Sequence, residues 1–388
     1  MNNIFETDKT FVAATYKRFD IALKSGEGAT LTDFDGKSYI DFGSGIGVNI
    51  FGANDKAWKE AVIAQLNLLQ HTSNLYYNEP CAQLAKLLCE KTGLKKVFFA
   101  NSGCEANECA IKVARKWASQ KKGSEFYHVI TLTNSFHGRT LTTLAATGQE
   151  SFHKLFLPLT EGFLHADVGD LAQIREFAKT QKVAAVLLEC VQGEGGVLPL
   201  GGEFLRGVED LCREFDLLFM IDEVQTGNGR TGKLYAYEHF GLSPDVVTTA
   251  KGLGGGLPVA ACIMGERVAD VFGRGDHGST FGGNPVACAG ALNVLLRLDE
   301  AFLKSVAEKS VFVFESLSGA EGVESVSGLG LMVGVKPSLK SAQDVVEACM
   351  QNGVLPLMAK DKIRLLPPLN ISQEELKKGV EVLKMCLR

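Results

Sequence analysis

The 388-residue sequence is 46% apolar and 22% charged, the balance of a soluble globular protein long enough for two or three domains. Its 40 Lys and Arg against 45 Asp and Glu leave a net charge of −5, which offers no bulk attraction to nucleic acid or an anionic membrane. No apolar stretch approaches the ~20 residues that span a bilayer, and MNNIFETDKTF lacks a secretory signal's basic start and apolar run, so a cytoplasmic location is expected.

Residues 29–42, ATLTDFDGKSYIDF, alternate apolar positions around an Asp-Gly turn and predict a hairpin. From about residue 57 helices alternate with short apolar strands. KVFFA, HVITLT, VAAVLLE, LLFMIDE, VVTTA and AACIMG read as strands; CEANECAIKVARKWA, LAQIREFAK and GEFLRGVEDLCREF read as helices. In the first of these helices Ala106, Cys109, Ala110, Val113, Ala114 and Trp117 recur at the spacing of one buried face. After about residue 286 two helical patterns return (VACAGALNVLLRL, FLKSVAEKSVFVFESL). Short strands (GLMVGV, KIRLLP) and a final helix (EELKKGVEVLKMCL) follow. The alternation argues for the α/β class, a doubly wound, mostly parallel sheet, with a smaller α+β domain after it. In such a sheet ligands sit at the carboxyl ends of the strands.

Ten cysteines are scattered without a C-x-x-C, and several fall inside apolar periodic runs. Reduced, mostly buried thiols are expected, with neither a disulfide framework nor a zinc site. The histidines show no ligand spacing, so no metal is expected.

Residues 226–234, TGNGRTGKL, carry the outline of a phosphate-cradling P-loop behind LLFMIDE, an apolar strand ending in acids. A P-loop needs a hydroxyl after its lysine to hold Mg²⁺, and here that position is Leu234. One strand and its own exit loop would also have to serve both roles. A nucleotide hydrolase is the reading from outside the class favoured below; Gly227, Gly229 and Gly232 read instead as a tight surface turn, with Lys233 solvated.

Asp222 ends one apolar strand, and PDVVTTAKGLGGGLP ends the next at Lys251 before a glycine run. A lysine there either snorkels to the rim or has a lowered pKa and a chemical task. Glycines at 252, 254, 255 and 256 favour close approach by something bulky. A lysine that can condense with an aldehyde, a carboxylate to protonate a pyridine nitrogen, and a phosphate cradle are the requirements of pyridoxal phosphate (PLP). NSGCEANE supplies a candidate cradle: Ser102 and Gly103 enter a helix whose free N–H groups suit phosphate, although the same residues serve as a plain N-cap.

With these residues in view, the sequence resembles the class III (fold type I) PLP aminotransferases nearly end to end. The matching stretches are TYKRFDIALKSGEG, YIDFGSGIGV, SNLYYNEP, NSGCEANE, FHGRT, ECVQGEGG, IDEVQTGNGRTG, TTAKGLGGGLP, HGSTFGGNP and RLLPPL. The resemblance implies a large PLP-binding domain at 51–285 and a small domain built from 1–50 and 286–388. It implies that Lys251 binds the cofactor and shuttles the proton, and that Asp222 pairs with the pyridinium nitrogen. Val224 would pack on one ring face and Phe136 on the other, Gln225 would meet the phenolic oxygen, and Ser102, Gly103 and Cys104 the phosphate. Arg139 would fork a substrate carboxylate. Thr280 would reach the phosphate of the neighbouring subunit's cofactor and Ser279 would lie near substrate, which implies a homodimer with shared sites. Glu194 would cover Arg364 while an ω-amine is bound and swing away when glutamate brings its own carboxylate; the alternative is a static ion pair. Glu189 would support the ring and the nearby glutamine. His137 reads as a packed structural residue.

The implied reaction is ping-pong transfer of the ω-amino group of N2-acetylornithine to 2-oxoglutarate, giving N-acetylglutamate 5-semialdehyde and glutamate, a step of arginine biosynthesis. The small residues of Gly43–Val48 leave room for an acyl group where ornithine-specific relatives place a tyrosine. Succinylornithine, succinyldiaminopimelate, ornithine and 4-aminobutyrate remain as alternatives, with glutamate-1-semialdehyde aminomutases and decarboxylases as other reaction types on the same lysine–aspartate core. Two departures from the pattern stand out: Cys104 replaces the usual threonine, and FGANDKAW replaces G-H-x-H-P.

Overall fold

In the computed structural model, which describes residues 2–388, seven strands form the central sheet. Their order is Lys96–Ala100, Ala260–Met264, Val246–Thr249, Leu218–Asp222, Val183–Leu188, His128–Leu132 and Phe163–Ala166. All pairings are parallel except those of Ala260–Met264, which runs antiparallel to both neighbours. This is the doubly wound, mostly parallel sheet expected, and it contains all six strand segments read from the sequence. The seventh strand, Phe163–Ala166, escaped that reading because it is four residues long and pairs on one side only.

Val183–Leu188 is buried at every position, as a central parallel strand covered on both faces must be. Alternate residues of Leu218–Asp222 feed two different cores. Phe219 and Ile221 pack with Leu205 and Val208 of the helix Gly202–Glu214, whereas Leu218 and Met220 pack with Cys109, Ala110 and Val113 of the helix Gly103–Lys121. Helices on both faces leave the carboxyl edge of the sheet as the place where a ligand can approach.

The Asp-Gly hairpin is present: Thr30–Asp33 pairs antiparallel with Ser38–Asp41, and Asp33 Oδ1 accepts the Asp35 and Lys37 N–H groups at 2.9 Å across the turn. Its second strand also pairs in parallel with Val354–Leu355, so the two ends of the chain share one sheet. A second four-stranded sheet, in the order Val323–Leu329, Met332–Pro337, Lys362–Leu365, Leu357–Ala359, carries Arg364 at its centre. Among the ten free cysteines, seven are buried.

One expectation is overturned. The glycine stretch 227–232 is not a surface turn: Thr226, Asn228, Arg230 and Thr231 are each no more than 2% exposed, although Lys233 is solvent-exposed as expected. Positive φ at Gly229 and Gly232 (both 87°) lets this loop bury itself against the C-terminal segment. A side chain at Gly229 would press on Leu298, Leu303 and Leu369, and one at Gly232 on Ala307. The glycines serve packing across the chain, which local sequence cannot distinguish from a turn.

Candidate active site

A cavity of about 380 Å³ opens at the carboxyl edge of the central sheet, lined by Ser102, Gly103, Cys104, Phe136, Asp222, Val224, Gln225 and Lys251 among others. Each arrives from a different element for a local reason. Ser102 caps the helix Gly103–Lys121 by accepting the Glu105 N–H at 3.3 Å, and Glu105 returns bonds to Ser102 Oγ and the Asn101 N–H. The N–H groups of Gly103 and Cys104, which helix geometry leaves without intrahelical acceptors, therefore lie at the cavity lining where an anion can bind. Gly103 has to be glycine: a Cβ there would stand 2.7 Å from Val224 Cγ1.

Asp222 closes its strand at the cavity floor, 4% exposed. Three donors fix it: Asn107 Nδ2 at 2.7 Å and His137 Nδ1 at 2.9 Å on Oδ2, and the Val224 N–H at 3.0 Å on Oδ1. His137 is thus more than a packed residue, which corrects the expectation for it. The residue is 2% exposed and its Nε2 has no partner among the described residues. Glu189, immediately behind, accepts the Phe136 N–H at 3.1 Å and the Gly193 N–H at 3.3 Å. Burial pushes the Glu189 carboxyl up to about 7.

Lys251 follows the strand Val246–Thr249, where the chain must reverse into antiparallel Ala260–Met264. It adopts φ +44°, a conformation costly for a non-glycine residue and common at working sites. Burial, opposed by Glu194, holds its amine below the ordinary lysine range. Nearer the chain's start, Ser44, Gly45, Ile46 and Gly47 all have positive φ, a left-handed turn that delivers Val48 to the cavity wall.

Arg139 is exposed and lies just outside this wall, its guanidinium stacked 4.1 Å from the Phe152 ring and 5.3 Å from the Phe136 ring. Its backbone N–H donates to Cys104 Sγ at 3.2 Å, so the thiol that stands in for a threonine braces the arginine's loop. Arg364, 4% exposed on its side chain, donates to Glu194 Oε1 at 2.5 Å and to Gln225 Oε1 at 3.1 Å; Gln225 Nε2 returns to Glu194 Oε1 at 3.2 Å. Burial raises the Glu194 pKa, but the guanidinium outweighs it and holds the carboxyl below its usual range. Gly193 makes room for this triad, since a Cβ there would strike the Gln225 amide.

Ser279 and Thr280 are not brought into the cavity of their own chain. Ser279 Oγ accepts from Asn101 Nδ2 at 3.2 Å, and Thr280 is exposed on the same loop beside Phe281. Asn107 and His137 are the site residues that sequence reading missed. Asn107 had a signal, being the one polar residue on the buried stripe with Gly103 and Ala110. His137 had none, because its partner lies 85 residues away.

The donor set fits PLP: a helix N-terminus for a phosphate, an oriented buried carboxylate for a pyridine nitrogen, a slot between Phe136 and Val224 for a ring, and an amine of lowered pKa for an aldehyde. Comparison with known proteins agrees. A family model described as aminotransferase class III matches residues 11–387. An acetylornithine aminotransferase of Haemophilus ducreyi is 52% identical over 387 residues, covering 100% of this chain and 98% of the relative. A succinylornithine transaminase of Yersinia enterocolitica is 43% identical over 390 residues, covering 97% of this chain and 94% of the relative. A solved ornithine aminotransferase of Toxoplasma gondii, described with partial occupancy of PLP at its active site, superposes with a TM-score of 0.94 at 31% identity, covering 100% and 94% of the two chains.

Proposed function

Because the chain belongs to the class III aminotransferases, we propose that it moves the ω-amino group of N2-acetylornithine to 2-oxoglutarate, with PLP as its cofactor. The observation that carries this reading is the pair of arginines flanking the Lys251 cavity, one free on its aromatic stack and one covered by Glu194. Two substrates that differ by one carboxylate need one permanent clamp and one that can be uncovered. The acyl group is supported by the 52% identity to a relative named for acetylornithine. The succinyl compound is the second reading, favoured by the 43% identity to a succinylornithine transaminase.

When bound, PLP supplies an electron-accepting ring that stabilises negative charge on the amine-bearing carbon. Everything else falls to this chain. Asp222, held by Asn107 and His137, would pair with the ring nitrogen. Phe136 and Val224 would flank the ring, and the Gly103 and Cys104 N–H groups would hold the phosphate. Lys251 Nζ takes and returns the proton of the amine-bearing carbon, a task for which burial has lowered its pKa. Arg139 binds the carboxylate remote from the reacting amine, and Arg364 binds the second carboxylate once Glu194 turns aside. A homodimer is part of the proposal: Thr280, Leu75, Tyr76, Tyr77 and Phe281 are exposed and do not line the Lys251 cavity of their own chain. Among the described residues no helix is long and apolar enough to cross a membrane; a cytoplasmic place in arginine biosynthesis belongs to the same reading.

The test is the visible absorption of PLP-loaded protein. The band is expected to fall when N2-acetylornithine is added alone and to return with 2-oxoglutarate. A band that ignores N2-acetylornithine but responds to N2-succinylornithine would move the substrate to the second reading. Equal activity on free ornithine would remove the argument from Gly43–Val48.

The His137–Asp222 contact makes a separate prediction. His137→Phe takes one charged hydrogen bond from Asp222, worth about 1.5–3 kcal/mol, so turnover is expected to fall roughly 10- to 150-fold. Unchanged turnover in steady-state kinetics would mean that Asn107 suffices to orient the carboxylate.

A further inference from the structure

Arg230, in the buried glycine stretch 227–232, is 1% exposed, and its side chain reaches the strands of the C-terminal segment. Its contacts are specific. The strands Met332–Pro337 and Lys362–Leu365 pair with Val333 opposite Leu365 and Gly334 opposite Arg364. Continuing that register brings Leu331 opposite Pro367, where the proline has no N–H to give. Arg230 Nη1 stands in for the missing donor, bonding the Leu331 carbonyl at 3.0 Å and the Pro367 carbonyl at 2.6 Å. The Arg230 carbonyl accepts the Leu331 N–H at 3.0 Å in return.

The same strand exit is gripped from the N-terminal segment. Ser44 Oγ donates to the Leu366 carbonyl at 2.7 Å, the Leu366 N–H donates to the Phe42 carbonyl at 2.7 Å, and Arg230 Nη2 lies 3.5 Å from Ser44 Oγ. Five residues before Arg230, Gln225 holds Arg364 itself. One loop therefore touches the Arg364 strand at two points, Gln225 at the side chain and Arg230 at the strand's end.

A fully buried guanidinium whose acceptors are two carbonyls and the Ser44 hydroxyl is expensive even with the buried Asp41 carboxylate nearby, and its Nε has no partner among the described residues. A hydrophobic residue would fill the volume at lower cost, so packing alone does not account for it. We propose that Arg230 is a positioning residue that fixes the strand Lys362–Leu365 against the cofactor cavity and so sets where Arg364 meets the substrate's second carboxylate. The inference rests on the reading of Arg364 as that clamp. A clamp displaced by a fraction of an ångström binds poorly, whereas the half-reaction that leaves Arg364 covered by Glu194 does not depend on its placement.

The test compares Arg230→Lys, Ser44→Ala and Arg364→Ala in the PLP-loaded enzyme. Lysine keeps the charge but loses the fork that reaches two carbonyls. Ser44→Ala removes one bond to the same strand exit without emptying a large volume. KM for 2-oxoglutarate is expected to rise about 10- to 100-fold in Arg230→Lys. Ser44→Ala is expected to raise it by a smaller factor, and KM for N2-acetylornithine is expected to stay within about twofold of the parent in Arg230→Lys. Added to Arg364→Ala, Arg230→Lys is expected to raise the 2-oxoglutarate KM no further, because the two act through one contact. A purely structural role would shift both KM values together and would remain additive with Arg364→Ala; either result overturns the proposal. If Arg364→Ala alone leaves the 2-oxoglutarate KM unchanged, the clamp reading fails and the positioning role falls with it.

Discussion

Replacing Lys251 with alanine is expected to lower turnover by at least about 10⁴-fold, the upper range for a positioned acid–base group, because the same side chain also binds the cofactor. Phe136, Val224, Asp222 and the helix N-terminus stay in place in this variant, so PLP affinity is expected to fall far less than turnover. The cofactor-free variant is also expected to be more stable than the parent. The parent holds an amine whose charge is opposed by burial, and alanine removes that penalty. Spectral titration with PLP, single-turnover kinetics and thermal melts of the cofactor-free proteins separate these effects. Turnover within tenfold of the parent would remove Lys251 from the chemistry.

Arg364→Ala and Glu194→Ala are expected to act on opposite half-reactions. Arg364→Ala deletes a charged contact to the second carboxylate, so kcat/KM for 2-oxoglutarate is expected to fall roughly 10- to 150-fold, equivalent to about 1.5–3 kcal/mol. Glu194→Ala leaves a buried guanidinium held only by Gln225 whenever a substrate without a second carboxylate is bound. The half-reaction with N2-acetylornithine is therefore expected to slow, while that with 2-oxoglutarate proceeds at least as well as in the parent. Pre-steady-state spectra taken with each substrate alone read the two halves separately. Equal losses in both halves for both variants would identify the pair as a fixed structural bridge.

Much of this architecture is visible in the sequence because it is local. The Asp-Gly hairpin, the six apolar strand segments and the buried stripe of the helix Gly103–Lys121 each follow from spacing within one element. Asp222, Lys251, Ser102 and Gly103 are legible because strand ends, glycine runs and a helix start mark where backbone approaches a ligand, whereas Cys104, Phe136, Val224 and Gln225 come only from the resemblance to the family. What could not be read depends on partners far away in the chain. His137 gains its role from Asp222, and the 227–232 stretch looks like a surface turn until Leu298, Leu303, Leu331 and Pro367 arrive to cover it. Phe163–Ala166 is an edge strand too short to show a period. Cys104 is a departure at the sequence level whose effect is geometric, since its sulfur receives the Arg139 N–H.

The pairing of Ser38–Asp41 with Val354–Leu355 also sets a schedule for folding. Ile40 stands opposite Val354, so the N-terminal hairpin leaves the ribosome long before its neighbour has been made. At about 5–20 residues per second the wait is roughly 15 to 60 s. A hairpin alone is marginal in water, and its outer strand presents unpaired backbone throughout that interval. The nascent chain therefore carries an open edge that only the completed C-terminus can close. Chains that stop short of residue 354 never close it, which makes premature termination a route to aggregation even when the whole central sheet has been synthesised.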